Sequence, residues 1–138
     1  MVGRILAIIN NDRPEAGLSQ AIAQANSAID EVGFELCRLT TEKHLALSQL
    51  STQQRRHEQL VAQGNSALIE GCAHQLKATT QQQLELEMQM ARLEQSIAEL
   101  TKEEKEMAAA LLALRTKKHK METMLRHFIN ARSAPSAR

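Results

Sequence analysis

Residues 69–128 read IEGCAHQLKATTQQQLELEMQMARLEQSIAELTKEEKEMAAALLALRTKKHKMETMLRHF, and they decide the fold. An apolar seam runs through them in alternating steps of three and four: Ile69, Cys72, Leu76, Thr79, Gln83, Leu86, Met90, Leu93, Ile97, Leu100, Glu104, Met107, Leu111, Leu114, Lys118, Met121, Leu125, Phe128. Only Thr79, Gln83, Glu104 and Lys118 are polar. A mean spacing of about 3.5 residues keeps the stripe on one side of a helix, as in a coiled-coil strand. At 1.5 Å per residue such a helix runs about 90 Å, and it cannot bury its stripe against itself. It needs a partner.

Upstream, a second seam offers one. Leu18, Ile22, Ala25, Ile29, Val32, Leu36, Leu39, Lys43, Ala46, Leu50, Gln53, His57 and Leu60 repeat in the same rhythm, apolar to Leu39 and more polar beyond. Asp12, Pro14 and Glu15 form a helix-start signature, with a cap, a first-turn proline and an acid three residues after the cap. Gly64-Asn65 is the turn signal between the two seams, and Ser66 is a plausible cap for the second helix. A connection this short favours antiparallel neighbours. The expected organisation is therefore a short amphipathic segment at 1–11, a first hairpin helix at 12–63 and a turn at 64–66. A second hairpin helix at 67–132 and a flexible tail at 133–138 complete it. Residue i should face residue 130 − i, so that the second helix overhangs the first and leaves Ala113 to Phe128 uncovered. The fold class is all-α, a long antiparallel two-helix coiled-coil hairpin.

Composition agrees. Two Phe, no Tyr and no Trp in 138 residues leave little to fill a rounded core, while Ala, Leu, Gln, Glu and Lys abound. The net charge of +1 gives no whole-chain attraction to nucleic acid. It is segregated, however: residues 84–106 hold seven Glu, whereas residues 113–138 hold seven Lys or Arg against Glu122 alone. Aromatic stacking residues and nucleic-acid motifs do not accompany the basic end. A cationic helix end suits anionic lipid, or complements its own macrodipole. Cys37 and Cys72 make no disulfide framework, no secretory signal is visible, and no stretch approaches a bilayer span. The expected location is cytoplasmic, peripherally on the inner face of the cell membrane.

Met1 to Asn10 (MVGRILAIIN) puts Val2, Ile5, Leu6 and Ile9 on one helical face. Two readings stay open. The segment packs on the uncovered part of the second helix, or it enters a membrane interface with Arg4, while Lys117, Lys118, Lys120 and Arg126 meet lipid head groups. Leu111, Leu114, Met121, Leu125 and Phe128 are the expected self-association seam. His57, Cys72 and His74 meet near the turn in the expected register, too few for a metal site without further ligands. No nucleophile–base pair and no glycine-rich phosphate loop is present, so neither catalysis nor a cofactor is expected.

Two stretches resemble the phage-shock protein A family, related in fold to ESCRT-III proteins. They are DRPEAGLSQAIAQANSAIDEVGFELCRLTTEK, Asp12 to Lys43, and AELTKEEKEMAAALLALRTKKHKMETMLRH, Ala98 to His127. The proline start and the MLRH ending are not products of heptad composition. The resemblance covers somewhat less than half of the chain and only the family's helical-hairpin half. It implies a protein that binds anionic inner-membrane lipids, self-associates, maintains or remodels membranes under stress, and in some members restrains a regulatory protein. Family members usually carry a longer first amphipathic helix, often with aromatics, and further helices after the hairpin. The alternative is a soluble coiled-coil adaptor that binds a protein partner along the hairpin.

Overall fold

The computed structural model describes residues 14–133. They form two helices, α1 at Pro14–Glu70 and α2 at Ala73–Ser133, and no strand. Pro14 opens α1 where its missing N–H is no loss, and Glu15 places a negative charge in the first turn. The segment 1–11, and with it Val2, Arg4, Ile5, Leu6 and Ile9, lies outside the described residues.

Contacts divide the described chain into two units. The turn unit, Cys37–Lys105, holds the end of α1, the connection and the start of α2. Leu39, Ala46, Leu60 and Ala67 are buried along α1, and Thr79 is buried on α2. Leu76, Gln83, Leu86, Met90, Leu93, Ile97 and Leu100 are half-buried at the expected seam positions. Full burial of a side chain such as Leu39 or Leu60 contributes about 1.5–3 kcal/mol. Three pairings set the alignment: Thr40 with Glu104, His57 with Glu87, and Gly64 beside Thr79. As one partner's number rises the other's falls.

The connection differs from expectation. It falls at Gly71-Cys72 rather than at residues 64–66, and α1 passes through Gly64-Asn65 without a break. Gly71 has φ +71°, a left-handed conformation that a Cβ would penalise. The Cys72 N–H donates to the Ala67 carbonyl at 2.9 Å and the Gly71 N–H to the Leu68 carbonyl at 3.3 Å. These two bonds make a Schellman closure, which satisfies carbonyls that the helix end would leave open. The Cys72 carbonyl then accepts from the Leu76 N–H at 3.0 Å and starts α2. Gly64 is instead a seam residue. A Cβ there would lie 3.6 Å from Thr79 Cγ2 and 3.6 Å from Gln83 Nε2, so packing holds the residue in the helix despite its poor propensity.

The later turn shifts the alignment. Paired residue numbers total about 145, not 130. Ile69 and Cys72 therefore leave the seam for the end of α1 and the connection, where both are exposed.

The terminal unit comprises residues 14–36 and 106–133. Leu18, Ala21, Ala25 and Leu111 are buried here, and Ile22, Ile29, Val32, Leu114, Met121 and Leu125 half-buried. Arg132 pairs with Glu15 across the two helices. That pairing places Ala113 to Phe128 alongside α1, so the expected overhang is absent.

Candidate functional site: the basic end and outer face of α2

Lys117, Lys120 and Arg126, three of the expected lipid-binding cations, are exposed on α2 within the terminal unit. Lys118 is half-buried, as its seam position requires. Arg132 is engaged by Glu15. Among the cations stand exposed apolar side chains: Met124 and Ile129 are about half exposed and Phe128 is 37% exposed. Higher on the same helix, Ala109, Leu112, Ala113, Thr116, Lys117 and Lys120 line a shallow open groove. Leu112 is 67% exposed. No helix among the described residues is long and apolar enough to cross a membrane.

The same geometry places the residues of the expected self-association seam. Leu111 is buried and Leu114, Met121 and Leu125 are half-buried in the stripe that the helix pair uses itself. Only Phe128 keeps substantial exposure. Exposed apolar side chains stand instead at positions the seam reading passed over, Leu84, Met88, Leu112, Met124 and Ile129. Leu84, Met88 and Leu112 share a second set of three-and-four spacings beside the first, the one signal available for them; Met124 and Ile129 lie off it.

The chemistry-bearing residues near the turn are also rearranged. With the alignment moved, His57 no longer meets Cys72 and His74; its Nε2 lies 2.9 Å from Glu87 Oε1. Among the described residues no group of three His, Cys, Asp or Glu side chains is placed to hold a metal ion. Cys37 and Cys72 are free thiols at the surface. Two seam exceptions meet: Lys43 Nζ lies 3.0 Å from Glu104 Oε1, and Thr40 Oγ1 donates to Glu104 Oε2 at 2.9 Å. These bonds hold the Glu104 carboxyl below its ordinary pKa, with the Lys43 hydrogen bond the largest cause and Thr40 the next. Gln53 Oε1 is buried with no hydrogen-bond partner.

Compared with protein-family models, curated proteins and solved structures, the chain matches none. Its function is therefore argued from its own residues. The basic end of α2 presents exposed cations and exposed apolar side chains together.

Proposed function

We propose that the chain is an antiparallel two-helix coiled-coil hairpin that self-associates and attaches peripherally to anionic membrane. The attachment runs through the basic end of α2. The protein then serves membrane maintenance or remodelling under stress, as its resemblance to the phage-shock protein A family implies. One observation carries the lipid reading: Lys117, Lys120 and Arg126 are exposed on the same helix end as Met124, Phe128 and Ile129. Basic groups at an anionic surface contribute roughly 1 kcal/mol each, and partial burial of the apolar groups adds to that. The apolar segment Met1 to Asn10 precedes α1 and supplies a further anchor of the same kind.

Vesicle co-sedimentation tests this reading. The full chain should pellet with vesicles containing anionic phospholipid and stay in solution with zwitterionic ones. Lys117→Glu, Lys120→Glu and Arg126→Glu combined should abolish pelleting while circular dichroism stays helical. Equal pelleting with both lipids, or undiminished pelleting of the triple variant, overturns the proposal.

A soluble adaptor is the second reading, and Phe34 favours it. This aromatic on α1 is 83% exposed, far from what lipid attachment at the end of α2 requires of it. An adaptor would ignore both kinds of vesicle.

A further inference from the structure

Attachment to anionic membrane through the basic end of α2 is the proposed function, and this inference rests on it. We infer that the membrane meets one side of α2 only, with Lys117 and Lys120 on head-group phosphates and Leu112, Ala113 and Met124 against the apolar layer beneath. Every residue of this surface belongs to α2 within the terminal unit. Steps of four and three lead from Ala109 to Ala113, Thr116, Lys120 and Met124, so these five share one side of the helix. Leu112 and Lys117 stand at its edges. All seven are exposed, Leu112 at 67% and Met124 at 50%. The small side chains of Ala109, Ala113 and Thr116 line a groove with Leu112 and the two lysines, which lets a surface come close to the helix.

Charge selects both the occupant and the side. Lys117 and Lys120 are three apart, hence neighbours on the helix surface, and neither has a carboxylate three or four positions away in either direction. Their positive charges therefore add. Their long stems carry the ammonium groups outward to phosphate level while the shorter apolar side chains sit deeper. The other exposed cations of this end point elsewhere. Arg126 lies nine residues from Lys117 and Arg115 five from Lys120, spacings that turn each to a different side of the helix. Arg126 also has Glu122 four positions before it, at the spacing of an intrahelical pair. Along the axis the surface ends at Glu106, which is exposed on the same side seven residues before Ala113. An anionic membrane repels that carboxylate, so contact runs from about Ala109 to Met124 and no further back.

Two charge-matched double variants of the full chain test the side. Lys117→Glu with Lys120→Glu, and Arg115→Glu with Arg126→Glu, lower the net charge equally. The lysine pair should raise the lipid concentration for half-maximal pelleting with anionic vesicles by roughly tenfold or more, the arginine pair by less than about threefold. Because the chain has no Trp, one introduced at Ala113 or at Ala108 reports alone. Both alanines are exposed, and five residues of helix separate them onto different sides. Anionic vesicles should blue-shift the emission of Ala113→Trp and leave that of Ala108→Trp unchanged. This comparison alters no charge, so it decides the matter even where a charge-reversed variant loses helicity by circular dichroism. A lysine pair that loses no more than the arginine pair, or equal blue shifts at the two alanines, overturns the one-sided contact and leaves membrane attachment standing. A wild-type chain that pellets with neither anionic nor zwitterionic vesicles overturns attachment and this contact together, and assigns the surface to a protein partner.

Discussion

Lys43 Nζ and Glu104 Oε1 lie 3.0 Å apart at positions where both helices otherwise present apolar side chains to each other. Each breaks its own seam, and together with the Thr40 hydroxyl they satisfy one another. A partly buried pair of this kind adds little net stability, because desolvation offsets much of the attraction. It acts on alignment. Sliding one helix by a turn would leave a carboxylate and an ammonium facing apolar groups, so wrong registers are penalised more than the right one is rewarded.

The pH dependence of this pair can be signed. Glu104 has its folded pKa depressed, by the Lys43 hydrogen bond first and the Thr40 hydrogen bond second. Its contribution is therefore present at neutral pH and is lost as pH falls below the ordinary glutamate range. Glu104→Gln should melt below wild type at pH 7, and the gap should close on acidification. Thermal melts from pH 7 to pH 3 measure it; a gap that stays constant refutes the assignment.

Two glycines should respond oppositely to alanine. Gly64→Ala should raise stability by about 0.5–1 kcal/mol, because the added methyl meets only ordinary contacts and helix propensity improves. Gly71→Ala should lower it by about 1–2 kcal/mol, the cost of a Cβ in the left-handed conformation. Urea denaturation of the two variants checks both signs at once.

Gln53 is a polar group in the seam whose Oε1 finds no partner. Leucine at this position should stabilise the fold by roughly 1–3 kcal/mol, the penalty of an unmet buried acceptor. Loss of stability in Gln53→Leu, measured by the same denaturation, would mean the amide is satisfied in solution.

Burial should separate two leucines of α1. Leu60→Ala removes a side chain that is 2% exposed and should cost about 2–4 kcal/mol. Leu45, mostly exposed, should tolerate alanine within about 0.5 kcal/mol. Equal costs would place Leu45 in an interface formed under the conditions of measurement.

The seams were legible because burial leaves a period in the sequence: Leu18, Leu39, Leu60 and Leu111 were all placed on it and all are buried. The turn was not, because two glycine signals compete within eight residues. Gly64-Asn65 has the stronger dipeptide, but Gly71 alone adopts positive φ. Nothing local in Gly64 announces that Thr79 and Gln83 will pack over it. That displacement carried through to the site, since moving the turn moves every cross-helix pair and removed both the overhang and the His57, Cys72, His74 cluster. The cations Lys117, Lys120 and Arg126 survived it because exposure on an outer face does not depend on alignment.

The closure at Gly71 also orders events in time. In the turn unit Gly64 and Thr79 are close in the chain, His57 and Glu87 stand 30 residues apart, and Thr40 and Glu104 stand 64 apart. Once the shortest loop is shut, each later rung encloses only a few residues more and loses little additional chain entropy. Contacts so local favour fast folding. The unit should close like a zipper from Gly71 outward, and Gly71→Ala should slow folding more than it speeds unfolding.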